Sequence, residues 1–116
     1  RAARMRDAPA GQDDTLAHRL LGLIEHNYQN GITLAVAAKE LGYSYQYLSR
    51  YVNRQFGLSF CEMVAQYRVE RAMYLLKNTC DSITSIASEC GYDSLRTFNR
   101  NFQSITRTTP RAYRCK

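Results

Sequence analysis

Two short stretches of this 116-residue sequence carry polar side chains at a spacing that places them on one face of an α-helix. Each set occupies positions i, i+3, i+4 and i+7, and the sets are Gln46, Ser49, Arg50 and Asn53, then Arg96, Asn99, Arg100 and Gln103. Arginine can hold O6 and N7 of guanine with two parallel hydrogen bonds, and asparagine or glutamine can do the same for adenine. A solvated helix face usually favours Glu and Lys, but neither set contains an acid. The composition therefore favours two faces that read base edges in duplex DNA over two merely hydrated faces.

Other side chains are suited to the DNA backbone, where contacts position a protein without reading sequence. These candidates are Arg54, Arg68, Arg71, Arg107, Arg111, Tyr45, Asn53 and Gln103, together with the helix starts at Thr33 and Ser82, whose backbone N–H groups can face phosphates. For each candidate singly, an ordinary surface role fits the sequence equally well. Three tyrosines, Tyr45, Tyr47 and Tyr51, could either touch the backbone or pack into the core.

The positive charge of the chain is concentrated near its end. The formal net charge is +6, and the stretch from Gly91 to Lys116 holds six basic residues against one acid, Asp93. Such a patch suits a polyanion, which means nucleic acid or an anionic membrane surface. A solubilising face is the alternative on charge alone.

Composition narrows the remaining classes of function. With 45% hydrophobic and 22% charged residues the chain is globular, and no apolar run approaches the roughly 20 residues that span a bilayer. Four cysteines without a CxxC pair, far in sequence from both histidines, predict reduced thiols in a cytoplasmic protein, and a redox switch is the alternative. Zinc-ligand spacing is absent, so we expect no metal and no cofactor. The sequence contains no Ser/His/Asp or Cys/His grouping, no glycine-rich phosphate loop and no cluster of carboxylates. It therefore does not predict an enzyme.

The elements that must position the two faces are helices with recognisable ends. Leu16 begins an apolar pattern of helical spacing, and residues 1–14 before it are predicted to be a linker or tail. Thr33 and Ser44 are suited to cap two helices separated by Gly42, the helix-turn-helix arrangement. Ser59 begins a capping box for a helix of about twenty residues that ends near residue 78.

The pattern then returns. Ser82, a turn glycine at Gly91 and a cap at Asp93 or Ser94 repeat the first arrangement, and the second long helix reaches about Ile105. The spacing between counterparts is 49 up to the turn, as for Ala38 and Ala87, and 50 afterwards, as for Arg50 and Arg100. Apolar residues opposite the polar faces are predicted to pack inward, and they are Leu48, Val52 and Phe56, then Leu95, Phe98, Phe102 and Ile105.

The repeat predicts an all-α chain of two helix-turn-helix subdomains, about seven helices in total, joined by a long linker helix. The predicted segments are 15–57 for the first subdomain, 58–79 for the linker helix and 80–116 for the second subdomain. The recognition helices would span about 44–56 and 94–105. A linker helix of this length, about 30 Å, is close to the ~34 Å that separates successive major grooves on one face of B-DNA.

At these residues the chain resembles the AraC/XylS family of bacterial transcription regulators. The resemblance covers about residues 16–114 and is most specific in the second half: Ile83-x-x-Ile86-Ala87-x-x-x-Gly91-Tyr92-x-Ser94, then Phe98-x-Arg100-x-Phe102, then Thr109-Pro110-x-x-Tyr113-Arg114. Two departures stand out. Arg107-Thr108 lies where the family usually has glycine before Thr-Pro, and Val52 lies where an aromatic is common.

The resemblance implies two recognition helices in adjacent major grooves of double-stranded DNA. It assigns base reading to Gln46, Ser49 and Arg50 of the first helix and to Arg96, Thr97 and Arg100 of the second. It also implies transcription activation, often through contact with RNA polymerase, and a separate ligand-binding or dimerisation domain. Two other readings remain, a basic helical module that binds an acidic protein and an RNA-binding protein, although the deep narrow major groove of RNA excludes a helix.

Overall fold

The structure, a computed structural model, describes residues 10–115, with side chains from residue 15 onward. Within that range the chain forms seven α-helices and no strand, which confirms the all-α prediction. The helices are α1 (Ala10–Asn27), α2 (Leu34–Leu41), α3 (Tyr45–Phe56), α4 (Phe60–Asn78), α5 (Ile83–Glu89), α6 (Leu95–Thr106) and α7 (Pro110–Cys115). A 3-10 turn, Tyr28–Asn30, follows α1.

The first helix starts earlier than its apolar pattern predicts. α1 begins at Ala10, inside the segment predicted to be a linker or tail, and residues 1–9 lie outside the described part of the chain. Among the side chains that the structure describes, from residue 15 onward, the first buried one is Leu16, which is also where the apolar pattern begins.

The chain divides into two compact units. Residues 10–27 and 32–63 form the first unit, and residues 28–31 and 64–115 form the second. This division differs from the predicted segments, since α4 contributes to both units and the short turn after α1 belongs to the second. A separate linker role for α4 stays a prediction.

In the first unit, α1 packs against α2, and α2 packs against α3. Leu20, Ile24, Leu48 and Val52 are fully buried, and Ala38 lies on the buried side of α2. The small side chain of Ala38 suits the close approach of α2 and α3. Val52 is therefore a core residue despite being smaller than the aromatic that the family resemblance led us to expect.

In the second unit, the core is built from α4, α5, α6 and the turn between α5 and α6. Its buried members are Val69, Ala72, Leu75, Leu76, Ile86, Ala87, Cys90, Tyr92, Phe98 and Phe102. The aromatic rings of Phe98 and Phe102 lie 5.8 Å apart between centroids, and Phe102 meets Tyr113 of α7 edge-on at 5.8 Å. These rings supply much of the apolar area that holds α6 in place.

The helix starts follow the predicted caps. The side chains of Thr33, Ser44 and Ser82 each accept a hydrogen bond from the backbone N–H three residues later. Ser59 and Glu62 form the predicted capping box, with Ser59 N–H donating to Glu62 Oε1 at 2.8 Å. Each cap satisfies an N–H group that has no partner within its helix.

Candidate nucleic-acid interface

The first polar face lies on α3, whose other side is fixed by burial. Ser44 caps the helix, and Leu48, Tyr51 and Val52 anchor it in the core. The opposite side exposes Gln46, Arg50 and Asn53, with Ser49 partly exposed between them. The four members of the predicted stripe thus lie on one accessible face of one helix.

The second polar face lies on α6 and has the same construction. Ser94, and not Asp93, is the cap, since its Oγ accepts from Thr97 N–H at 3.2 Å. Phe98 and Phe102 are fully buried, which turns the predicted stripe outward. Its members, all exposed, are Arg96, Asn99, Arg100 and Gln103.

Thr97 lies at the edge of this face. It is partly buried and lines a polar depression with Ser94, Arg68 and the turn at Gly91. The structure therefore separates Thr97 from the centre of the exposed stripe, while leaving its side chain accessible from outside.

One open groove brings three of the predicted DNA contacts together. Asn99 and Gln103 of α6 line it, and so does Arg111 at the start of α7. Leu95 also lines this groove and is 41% exposed, and Ile105 is 37% exposed. The prediction that these two side chains pack inward is wrong, because both lie at the ends of α6, beyond the rings that cover its middle.

The cap after α6 is unusual. Arg107 has φ 67° and ψ 17°, the left-handed conformation, and among the described residues no other non-glycine has a positive φ. Its counterpart after α3 is Gly57, with φ 70° and ψ 13°. The backbone thus keeps the same turn in both units, and an exposed arginine replaces the glycine that suits it.

The arginines predicted to contact phosphates fall into two groups. Arg54, Arg107 and Arg111 are exposed, and no ion-pair partner lies near them among the side chains of residues 15–115. Arg68 and Arg71 are partly buried and engaged with the protein. Arg68 Nε donates to Tyr28 O at 2.8 Å. Arg71 Nη2 lies 3.9 Å from Glu89 Oε2, and the Arg71 guanidinium lies over the ring of Tyr74.

Two cap residues and the tyrosines complete the set of predicted backbone contacts. Thr33 and Ser82 are exposed, although their hydroxyl oxygens already accept hydrogen bonds from their own helices. Tyr45 is 53% exposed at the start of α3, whereas Tyr51 is a core residue. The structure therefore resolves the choice for Tyr51 in favour of packing and leaves Tyr45 available at the surface.

One pair of side chains near the second face is not predictable from the residue pattern. Asn101 of α6 donates through Nδ2 to the hydroxyl oxygen of Tyr92 at 2.9 Å, and the Arg68 guanidinium lies 5.2 Å from the Tyr92 ring centroid. Burial raises the pKa of Tyr92, against the opposing effects of Asn101 and Arg68. The repeat in the sequence gives no sign of this pair, because the position in the first unit that corresponds to Asn101 is occupied by Tyr51.

The cysteines and the other titratable groups form no second candidate site in the described part of the chain. Cys90 is fully buried, and burial, together with the Glu89 carboxylate, raises the pKa of its thiol to about 11. Cys61, Cys80 and Cys115 are free and exposed. Among the described residues, no three His, Cys, Asp or Glu side chains gather as metal ligands, and no helix has the length and apolar character needed to cross a membrane.

Comparison with known proteins finds relatives that are described as helix-turn-helix proteins. Residues 37–116 match a family described as "Helix-turn-helix domain". The uncharacterised HTH-type transcriptional regulator YtdP of Bacillus subtilis is 30% identical over 103 residues, which are 89% of this chain and 13% of that protein. The chain spans 13–14% of the length of the curated relatives it matches.

Solved structures share the arrangement of helices. The C-terminal domain of the two-component response regulator yesN from Fusobacterium nucleatum superimposes with a TM-score of 0.80 at 30% identity, over 86% of this chain and 98% of that one. A transcriptional regulator from Chromobacterium violaceum, described as an AraC-type DNA-binding domain-containing protein, gives a TM-score of 0.82 at 27% identity, over 92% and 95%.

Proposed function

The chain belongs to the AraC-type helix-turn-helix family of transcription regulators, and we propose that it reads duplex DNA by placing α3 and α6 in two adjacent major grooves. The observation that carries this proposal is the duplicated exposed face. Each recognition helix presents Arg, Asn, Gln or Ser side chains at i, i+3, i+4 and i+7, without an acid. The occurrence of two such faces in one chain favours base reading over two ordinary hydrated helix surfaces.

Base reading is assigned to the centres of the two faces. The residues are Gln46, Ser49 and Arg50 on α3, and Arg96, Thr97, Asn99 and Arg100 on α6. Arg50 and Arg100 are exposed counterparts with no ion-pair partner among the described side chains, so each guanidinium is available for a bidentate contact with guanine. Thr97, at the edge of its face, is suited to a methyl contact with thymine.

Backbone contacts surround these centres. Exposure supports Arg54, Arg107, Arg111, Tyr45, Asn53 and Gln103, and the helix starts at Thr33 and Ser82 supply N–H groups. Arg68 and Arg71 are weaker candidates than the sequence suggested, because the protein itself engages both. Each phosphate contact strengthens binding uniformly across sequences.

In the cell this chain regulates transcription as part of a longer, cytoplasmic bacterial regulator. Activation through contact with RNA polymerase is the proposed mode, and a ligand-binding or dimerisation domain is the proposed partner within the same protein. The length of the relatives, of which the chain covers 13–14%, supports a role for further domains.

Selection from a library of random duplexes tests the proposal. Repeated rounds of binding should enrich a defined sequence, and affinity for it should fall steeply as salt rises, because several phosphates are neutralised. The alternative, a basic module for an acidic protein partner, predicts binding that ignores base sequence. A library that stays random after selection, with tight salt-dependent binding, would favour that alternative.

A further inference from the structure

The turn before α6 approaches another part of the chain closely. Gly91 has φ +101°, and a Cβ atom built on it would lie 2.8 Å from Tyr28 O, 3.0 Å from Gln29 Cα and 3.2 Å from Arg68 Nε. Contacts below 3.0 Å force something to move. The 3-10 turn after α1 is thus seated against Gly91 with no room for a side chain.

Three further contacts hold this segment, Tyr28–Gly31, in the second unit. Arg68 Nε donates to Tyr28 O at 2.8 Å, and Gln29 Nε2 donates to Glu89 O at the end of α5, at 3.0 Å. The rings of Tyr28 and Tyr67 lie 6.1 Å apart. Several independent contacts of different kinds therefore fix a four-residue segment that is distant in sequence.

The contacts continue from this segment into the recognition helix. The Arg68 guanidinium lies over the Tyr92 ring, and the Tyr92 hydroxyl accepts from Asn101 of α6. Tyr92 also packs against Phe98 at 5.4 Å between ring centroids. Arg68 thus touches the segment on one side and the turn residue that supports α6 on the other.

The first unit lacks this arrangement, although its turn has the same kind of glycine. Gly42 is the counterpart of Gly91 and has φ +83°, but nothing lies within 4 Å of a Cβ built on it. Both positions would strain a non-glycine backbone, but only Gly91 meets a packed neighbour. The two helix-turn-helix motifs therefore differ in what holds their turns.

We propose that Tyr28–Gly31 is a brace that positions the second recognition helix, acting through Gly91, Arg68 and Tyr92. Its effect on base reading rests on the proposed function, because orientation of α6 matters to specificity only if α6 reads DNA. Arg68 is then a positioning residue and not primarily a phosphate contact. The second helix-turn-helix motif depends on residues that precede the first one.

The test compares Gly91→Ala with Gly42→Ala and adds Arg68→Lys. Gly91→Ala displaces the brace, whereas Gly42→Ala imposes a similar backbone strain in open space. Arg68→Lys keeps the positive charge but removes the Nε–H donor and the planar group over Tyr92. The first readout is amide hydrogen exchange without DNA at Thr97 and Phe98, whose N–H groups donate to Ser94.

In this readout, Gly91→Ala and Arg68→Lys should each speed exchange of the two α6 amides about tenfold, because local opening becomes easier. The matching amides of α3, at Tyr47 and Leu48, should not change. Gly42→Ala should leave the α6 amides at the wild-type rate. Unchanged exchange rates of the two α6 amides in both Gly91→Ala and Arg68→Lys would overturn the brace. An equally large rise in the exchange rates of these amides in Gly42→Ala would overturn it as well.

The second readout uses a duplex enriched by selection and two copies of it, each with one half of the site scrambled. Both second-unit variants should lose about tenfold of the discrimination at the half read by α6 and keep it at the other half. If Arg68 acts only on phosphate, Arg68→Lys retains discrimination at both halves, which contradicts the proposal. Failure to enrich any duplex would count against the proposed function alone, since hydrogen exchange decides on the brace.

Discussion

Replacing Arg107 by glycine is expected to stabilise the fold while weakening its binding to DNA. Arg107 holds φ 67° and ψ 17°, a conformation that costs a non-glycine residue about 1–2 kcal/mol. Glycine removes that strain but loses about 0.5–1 kcal/mol in chain entropy on folding. The net gain in free energy of unfolding is about 0–1.5 kcal/mol, with a central value of about 0.75 kcal/mol, which raises the melting temperature by a few degrees for a domain of this size.

The same substitution removes an exposed guanidinium at the end of α6. If that group contacts a phosphate, binding weakens to a similar extent on all duplex sequences, and the magnitude of the slope of log K against log salt falls by about 1. Circular-dichroism melts give the stability, and anisotropy titrations at several salt concentrations give the slope.

Two matched variants separate strain from charge. Arg107→Ala removes the guanidinium but keeps the strained backbone, so it should weaken DNA binding without the gain in stability. Gly57→Ala imposes the strain at the counterpart turn, where no atom lies within 4 Å of the new Cβ, and should destabilise the fold by about 1 kcal/mol. A lower melting temperature for Arg107→Gly, or an unchanged salt slope, would refute the reasoning.

Three further outcomes follow from the site and the core. Arg100→Ala should cost about 1–3 kcal/mol on an enriched duplex and relax base preference at one position, measured by titration against single-base variants; equal loss on random DNA would reduce Arg100 to a phosphate contact. Phe102→Ala should lower the free energy of unfolding by about 3–5 kcal/mol in urea melts, because the ring is fully buried, and a loss below 1 kcal/mol would contradict that packing. Burial raises the Cys90 pKa from 9.0 to about 11, so the unfolded thiol ionises first and stability should fall as pH rises from 9 to 11. Cys90→Ala should flatten this fall, and in the native protein the Cys90 thiol should react with iodoacetamide more slowly than the exposed thiols; equal rates would contradict its burial.

Features encoded locally in the sequence were predictable. The caps at Thr33, Ser44 and Ser82 follow from hydroxyl side chains placed before apolar runs, and the structure confirms each one. The duplication was readable for the same reason, since equivalent turns and buried positions require equivalent residue types. Phe98 and Phe102 show this well, as both were expected inside and both are fully buried.

Features that depend on contacts between distant residues were not predictable. Gly91 reads as a turn glycine like Gly42, and only the folded chain shows that Tyr28–Gly31 lies against it. Arg68 looks like any surface arginine until its bond to Tyr28 O is seen. Leu95 and Ile105 share the helical period of the core residues, but periodicity does not reveal which helix ends are left uncovered.

Guanine-methylation interference on an enriched duplex tests most directly whether the chain has two reading helices. Methylation at N7 blocks the major-groove edge that arginine contacts. If α3 and α6 both read bases, two clusters of interference centred about 10 base pairs apart are expected, of which Arg50→Ala abolishes one and Arg100→Ala abolishes the other. A single cluster, or loss of the same cluster in both variants, would contradict reading by two helices.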